Sequence, residues 1–246
     1  MRILYHIGRF GILQKKVFAK PEKHKILFMD ILREMDKLGV GSILIIMIIM
    51  FFMGAVVTIQ TALNLENPFV SKVIIGFATR DSIILEFSST VTAVILAGII
   101  GSNIASEIGT MRITEQLDAM EIMGVNSAGH IILPKVIGMA LMMPFLVIIA
   151  MSVGILGGLA ATFAIPNLSV QDYLTGLQLD FSSYRVFYSL IKSVVFSLII
   201  TMVSSYHGFY AKGGSLEVGK AGTLGVIYSI ILILVANLFI TQLMLT

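Results

Sequence analysis

Apolar residues are concentrated in five long runs of this chain, and most of the charged residues lie between the runs. The runs cover residues 40–63, 83–105, 131–165, 186–210 and 222–245. Each is at least as long as the roughly 20 residues that an α-helix needs to cross a hydrocarbon core of about 30 Å. The pattern predicts an all-α polytopic membrane protein with five transmembrane helices.

Composition and charge agree with a membrane protein and indicate its orientation. Of the 246 residues, 57% are hydrophobic and 13% are charged, which leaves too little polar surface for a soluble globule. Nine of the 17 Lys and Arg residues precede the first run. Because basic residues accumulate on the cytoplasmic side, we expect a cytoplasmic N-terminus, and five crossings then place the C-terminus on the outer side. We expect no cleaved signal peptide, and a chain without cysteine has no disulfide or thiolate site.

The N-terminal region before the first run begins with the pattern of an amphipathic helix that lies in the membrane interface. Until Pro21, apolar residues share one helical face and basic residues share a flank. This arrangement predicts a helix with its bases near anionic headgroups, and the alternative is that the bases only set the topology. We therefore divide the chain into an interfacial region at 1–39 and a five-span domain at 40–246. The apolar face consists of Ile3, Ile7, Phe10, Val17 and Phe18, and the flank consists of Arg2, Arg9, Lys16 and Lys20.

One face of the second run carries almost no side-chain bulk. Ala93, Ala97, Gly101 and Ala105 recur every four residues. Small residues allow another helix to approach closely. Two partners remain open, a helix of the same subunit or the same face of a second copy in a homodimer.

The sequence predicts no catalytic residue, no metal site and no cofactor on this chain. Its four histidines never pair at positions i and i+4, and no hydrolase motif is present. Residues 214–220 match the first seven positions of a phosphate-binding loop, but Ala221 replaces the Ser or Thr that would hold Mg²⁺. No nucleic-acid partner is predicted.

Two charged residues inside the runs are placed to form an ion pair. Glu86 and Lys192 lie at similar predicted depth, each near the outer end of its run. Charges within a membrane are costly unless they are paired, so we predict this pair, with Lys192 reaching the outer headgroups as the alternative. The other runs hold too few charges for an ion pathway, and a pathway this apolar suits a lipid.

The segment 107–124, between the second and third runs, is predicted to be an amphipathic helix. Apolar residues occupy one arc of its helical wheel and polar residues the other, and Gly124 stands where a helix would end. From spacing alone, a surface for a soluble protein and a solvated connector are equally supported. The apolar arc is Ile113, Leu117, Met120 and Met123, and the polar arc is Thr114, Glu115, Asp118 and Glu121.

The same segment resembles the signature of the MlaE/YrbE permease family, the membrane subunits of ABC-type lipid transporters paired with MCE proteins. The resemblance extends along nearly the whole chain, through 54–60, 134–135, 190–196 and 213–221. Two positions depart from the family pattern, because Ile99 stands where the family often has Arg and Asn237 where it often has Asp. The signature residues are Glu107, Gly109, Met111, Arg112, Thr114, Glu115, Gln116, Asp118, Met123 and Gly124.

The resemblance implies a bacterial inner-membrane permease that moves phospholipid and maintains outer-membrane lipid asymmetry. It implies a homodimer, an ABC-type ATPase that holds ATP and Mg²⁺ and binds the 107–124 helix, and a periplasmic MCE-domain protein. The alternatives are a non-transporting anchor or scaffold for a soluble ATPase and a permease for another hydrophobic substrate. The lipid-contacting residues that the resemblance implies are Val56, Ile59, Gln60 and Leu63 in the first span, with Ile233, Asn237 and Thr241 in the last.

Overall fold

The computed structural model describes residues 2–19, 24–65, 71–166 and 168–245, and within these ranges every regular element is helical. Short π-helical or 3₁₀ segments continue several helices, at Met35–Gly39, Val40–Ser42, Ile83–Val91, Ala97–Gly101 and Thr162–Ala164. The α-helices are α1 (Arg2–Phe18), α2 (His24–Glu34), α3 (Ile43–Asn64), α4 (Val73–Ser82), α5 (Thr92–Leu96), α6 (Ser102–Ile113), α7 (Gln116–Ile122), α8 (Ser127–Ala161), α9 (Val170–Gln178), α10 (Ser183–Phe209) and α11 (Ser215–Leu245).

Five continuous helical stretches are long and apolar enough to cross a membrane, so the prediction of five spans is confirmed. Several extend beyond their apolar runs, because polar residues at either end continue the same helix. The second stretch, for example, begins ten residues before its run. The stretches are Ile26–Asn64, Val73–Ile113, Ser127–Ala164, Ser183–Phe209 and Ser215–Met244.

The predicted N-terminal helix is present as α1. The residues that it buries differ from the apolar face predicted from the sequence. Leu13 and Val17 are buried, whereas Ile7 and Phe18 are exposed. The helix therefore packs through one narrow stripe and leaves a broad apolar surface uncovered, as an interfacial helix would. The side chains of Arg2 and Ile3, and residues Lys20 and Pro21, lie outside what the structure describes.

The described residues form two compact units, and unit 1 draws on positions 1–41, 93–143 and 194–246. In this unit the small-residue face of the second span packs against the last two spans. Gly208 of α10 lies against the backbone of Ala105, and Gly225 of α11 lies against the Cβ of Ala105. Ala93, Ala97, Gly101 and Ala105 are all buried within the chain. Of the two open partners, the structure shows packing within the subunit, so this face is not available for a homodimer.

Unit 2 draws on positions 42–92 and 144–193, and its core depends on glycines at a helix crossing. A Cβ on Gly54 of α3 would overlap the carbonyl oxygen of Gly154 of α8. A Cβ on Gly157 would overlap the carbonyl oxygen of Phe51. The backbones of α3 and α8 therefore touch, an approach that only glycine permits.

Replacing Gly157 with alanine should destabilise unit 2 by about 3 kcal/mol, because the added methyl group meets backbone that cannot rotate away. Thermal unfolding in detergent measures the change. The matched control is Gly98→Ala, because no atom outside its own helical backbone and chain neighbours lies within 4 Å of a Cβ at that position. A Gly157→Ala protein as stable as the control would show that α3 and α8 do not cross at these glycines.

Unit 2 also contains α9, a helix that no apolar run marks in the sequence. It begins with a capping box, in which the Ser169 hydroxyl accepts a hydrogen bond from the Asp172 amide and the Asp172 carboxylate accepts one from the Ser169 amide. Tyr173 is fully buried and its hydroxyl donates to the Ile155 carbonyl at 3.2 Å. Burial raises the pKa of Tyr173 to about 12.

The end of α9 is held by a buried arginine. Arg80 donates to the carbonyls of Leu177 and Leu179 at 2.8 and 2.7 Å, and it pairs with Asp81, which also binds Arg185 through both oxygens. The last carbonyls of a helix lack partners within the helix, and a buried guanidinium supplies donors for them. This charge cluster is therefore a structural clamp within unit 2.

Candidate functional site

The prediction of one helix over 107–124 is wrong. The segment forms two helices joined by a sharp turn. The helix of the second span continues through Glu107 and ends at Ile113. Glu115 then adopts a left-handed conformation with φ of 60°, and α7 follows as far as Ile122. The Thr114 hydroxyl donates to the Thr110 carbonyl at 2.9 Å, which occupies an acceptor at the helix end. Gly124, with φ of 79°, lies just beyond the end of α7, as predicted.

An ion pair stabilises the turn. Arg112 Nη1 donates to Asp118 Oδ1 at 2.6 Å across the change of direction. At the far end of α7, the Ser127 hydroxyl donates to Glu121 Oε1 at 2.9 Å. Signature residues Arg112 and Asp118 therefore link α6 to α7 across the turn.

The side chains of this segment divide into a packed side and an exposed tip. Leu117 is fully buried, and a Cβ on Gly109 would touch Val218 at 3.0 Å, so both positions belong to the packing of unit 1. Met123 is 71% exposed, and Ile122, which the sequence reasoning passed over, is 87% exposed. We call Ile122 and Met123 the apolar tip. Thr114, Glu115 and Gln116 are also exposed, whereas Met111 is half-buried.

Glu107 faces inward and joins a network of four charged residues. Lys135 of α8 is 1% exposed, and its ammonium donates to Glu34 Oε1 at 2.7 Å and to Glu107 Oε2 at 2.9 Å. Lys37 also lies 2.9 Å from Glu107 Oε2. We call Glu34, Lys37, Glu107 and Lys135 the charge network. It connects the start of the 107–124 segment to the first part of the stretch Ile26–Asn64 and to α8.

The intramembrane charges predicted to pair are close together in unit 2. Lys192 Nζ lies 3.0 Å from Glu86 Oε1, and it also approaches the Leu85 carbonyl and the Tyr188 hydroxyl, each at 3.2 Å. Lys192 is fully buried, so the alternative in which it reaches the headgroups does not hold. Glu86 is part of the π-helical segment Ile83–Val91.

The predicted lipid-contacting residues of the first span share an open face. Val56, Ile59, Gln60 and Leu63 are all exposed on α3. Positions three and four apart lie on one side of a helix, so these four form a continuous strip. The prediction that lipid contacts this strip is compatible with its exposure and stays a prediction.

In the last span the predicted residues differ from one another in burial. Ile233 is fully buried within unit 1, and Asn237 and Thr241 are half-buried. The structure therefore does not support a lipid contact at Ile233, because its side chain packs within the chain. That packing could not be inferred from the sequence, in which every side of this helix is apolar.

Residues 214–221, which partly match a phosphate-binding loop, do not form one. Gly214 precedes α11, residues 215–221 are its first turns, and the preceding element is helix α10. A phosphate-binding loop instead joins a strand to a helix. Among the described residues, no three His, Asp or Glu side chains could hold a metal ion together.

Comparison with known proteins decides the family. The family model described as Permease MlaE matches residues 31–243.

The chain belongs to the MlaE permease family.

Two of its relatives are named as probable ABC transporter permease proteins. The Synechocystis sp. protein is 33% identical over 232 residues, which cover 94% of this chain and 88% of the relative. The Rickettsia bellii protein is 32% identical over 243 residues, covering 99% and 93%. The chain is also 29% identical over 240 residues, covering 97% and 91%, to the intermembrane phospholipid transport system permease protein MlaE of Haemophilus influenzae.

Family membership and the five long helices together define the class of this MlaE-family protein. It is a multi-pass membrane protein and the transmembrane permease component of an ABC-type transporter. Its apolar tip and charge network are therefore features of a permease subunit.

Proposed function

We propose that this chain is the permease subunit of an ATP-driven transporter that moves phospholipid between the bacterial inner membrane and periplasmic MCE-domain proteins. The observation that carries the proposal is the exposed apolar tip, fixed by the Arg112–Asp118 turn to the helix of the second span. The name of the Haemophilus influenzae relative supports the choice of phospholipid. The function that follows is the maintenance of lipid asymmetry in the outer membrane.

In this proposal the energy comes from a partner. ATP and Mg²⁺ bind an ABC-type ATPase on the cytoplasmic side, and the apolar tip docks on that ATPase. Exposed Ile and Met side chains on a short, fixed helix are suited to a pocket on another protein, where each would lose its contact with water. The permease itself carries out no covalent chemistry.

In this proposal, a movement of the ATPase is transmitted to the lipid-binding part of the permease. Movement of the ATPase would displace α7, and the ion-paired turn would pass that displacement to α6 and the rest of the second span. Transport then requires that the permease bind lipid with different affinity in its two states. A homodimer of this subunit, with cytoplasmic N-termini and an MCE-domain protein on the periplasmic side, completes the proposed assembly.

The lipid would contact the exposed strip of α3. Val56, Ile59 and Leu63 supply apolar surface for acyl chains, and Gln60 supplies an amide for a headgroup or ester oxygen. Asn237 and Thr241 are further proposed contacts on α11. The proposed lipid contacts on α3 rest on the exposure of its own residues, and those on α11 rest on its own half-buried residues.

The test is phospholipid transfer by the complex of this permease with its ATPase and MCE protein in proteoliposomes. The measured quantity is ATP-dependent transfer of a labelled phospholipid to the MCE protein. Val56→Trp should slow transfer several-fold because it adds bulk to the lipid strip. Leu44→Trp, at another exposed position on a different face of α3, should leave transfer unchanged.

The outcome of the unaltered complex separates the proposal from its rivals. A permease that binds and stimulates the ATPase without any ATP-dependent lipid transfer would contradict transport of phospholipid. An anchor or scaffold would then be favoured if no hydrophobic compound moved. A permease for another substrate would be favoured if a different hydrophobic compound moved instead.

A further inference from the structure

Unit 1 contains a cavity of about 470 Å³ that lies between α1, α10 and α11. Its volume is within the range of roughly 300–1,000 Å³ typical of small-molecule sites. The wall is mainly aromatic and aliphatic. It includes His6 and Phe10 of α1, Tyr206 and His207 of α10, and Tyr228 and Leu232 of α11.

One hydrogen bond and one ring stack join polar residues of the wall. His6 Nδ1 and the Tyr206 hydroxyl share a hydrogen bond of 2.7 Å. His207 stacks on Tyr228, with ring centroids 5.3 Å apart and planes 5° from parallel. A ligand in this cavity would therefore meet ring faces and aliphatic carbon, which suits a hydrocarbon chain.

The cavity is also elongated along α11. Its wall includes Leu224, Tyr228 and Leu232, which follow one another at intervals of four residues. They cover about 12 Å at 1.5 Å per residue. This stripe is rotated by one residue, about 100°, from the stripe that contains Asn237 and Thr241, the α11 residues proposed to contact transported lipid. The cavity is thus a separate place on the same helix.

A positively charged side chain lies next to the cavity. Arg9 is one turn beyond His6 on α1, and its guanidinium carbon lies 3.7 Å from the centroid of the Tyr210 ring. Among the described residues, no carboxylate forms an ion pair with Arg9. Stacking on a ring face leaves the N–H groups at the guanidinium edge free to donate to a phosphate.

The surroundings of α1 favour lipid over a protein partner as the occupant. Leu4, Ile7 and Ile12 are exposed on this helix, and Lys15 and Lys16 are exposed farther along it. A helix with uncovered apolar residues and bases is suited to the membrane interface, where acyl chains and anionic headgroups are the nearest ligands.

We propose that the cavity between α1, α10 and α11 binds one acyl chain of an anionic phospholipid, with the lipid phosphate at Arg9. The bound lipid holds α1 against α10 and α11. This site is distinct from the transport path and does not depend on the proposed function.

The chain contains no tryptophan, so a single introduced tryptophan reports on one place. The first reporter is Tyr228→Trp, which keeps an aromatic ring in the wall, and the second is Leu232→Trp. The matched control is Leu234→Trp, which is exposed on the same helix but does not line the cavity. The full chain is studied in detergent micelles that contain phosphatidylglycerol with brominated acyl chains, which quench tryptophan fluorescence on contact.

Quenching of both reporters should saturate at a low mole fraction of brominated phosphatidylglycerol, whereas quenching of the control should rise steadily with lipid content. Brominated phosphatidylcholine should need a several-fold higher mole fraction. Adding Arg9→Gln to a reporter should remove that difference between the two lipids. This result would support both the acyl-chain site and the role of Arg9.

Two results would overturn the proposal. Quenching of the reporters that rises steadily, as in the control, would show that no specific site exists. Reporters that no brominated lipid reaches would show that a protein surface, such as a second copy of the chain, covers the cavity. The quenching experiment uses no ATPase, so its result does not depend on whether the complex transports phospholipid.

Discussion

Replacing Ile122 and Met123 together with aspartate should abolish ATP-driven lipid transfer and detach the ATPase, while the five spans stay folded. These two side chains form the apolar tip and are 87% and 71% exposed, so the change removes little packing within the chain. Burial of each in a partner would contribute about 2 kcal/mol. Their loss, with two charges added, should weaken the ATPase complex by roughly a hundredfold or more.

The measurement is the amount of ATPase that co-purifies with the permease, together with transfer in proteoliposomes. The control is the double change Ile122→Leu with Met123→Leu, which retains the apolar surface and should retain both activities. If the aspartate variant still bound its ATPase at full strength, the contact would have to lie elsewhere on the permease. The exposed Leu216 at the start of α11 would be the next position to change.

Replacing Lys135 with methionine should destabilise the protein by about 3 kcal/mol and uncouple ATP hydrolysis from transfer. The change removes the only buried cation of the charge network and leaves Glu34 and Glu107 with the half-exposed Lys37. Breaking a buried ion pair from one side leaves an uncompensated charge, which typically costs about 3–5 kcal/mol. We take the lower end because Glu107 is partly exposed.

Thermal unfolding in detergent and ATPase-driven transfer measure the two effects. The control is Lys220→Met, which removes an exposed pair with Glu217 and should cost less than about 1 kcal/mol. Lys135→Arg should retain most of the stability, and Glu34→Gln added to Lys135→Met should restore part of it by removing the unpaired carboxylate. If Lys135→Met matched the control in both measurements, the network would have no part in stability or coupling.

The contacts of the charge network could not be predicted from the sequence. Glu34 and Lys135 are 101 residues apart, and neither stands in a motif that pairs it with the other. Glu86 and Lys192 are 106 residues apart, yet their pairing could be predicted. The difference is that both lie within spans, where the membrane fixes depth and an unpaired charge is costly.

The turn at Glu115 is a second feature that the sequence did not reveal. Thr114, Glu115 and Gln116 are ordinary surface residues, and a non-glycine residue with positive φ is uncommon enough that periodicity favours a continuous helix. The signature residues were recognisable from their order alone. Their division into inward residues such as Glu107 and Leu117 and an outward tip at Ile122 required the positions of neighbouring helices.

The sequence by itself determined the all-α class, the five spans and the family. These follow from local properties, since the length of an apolar run must match the hydrocarbon core and a signature is read in order along the chain. Only the tertiary structure decided which small-residue face packs inside unit 1, which carboxylates surround Lys135, and where α1 leaves a cavity. These depend on contacts between residues far apart in the chain, and the apolar spans do not distinguish one side of a helix from another, because lipid and protein interior are equally apolar.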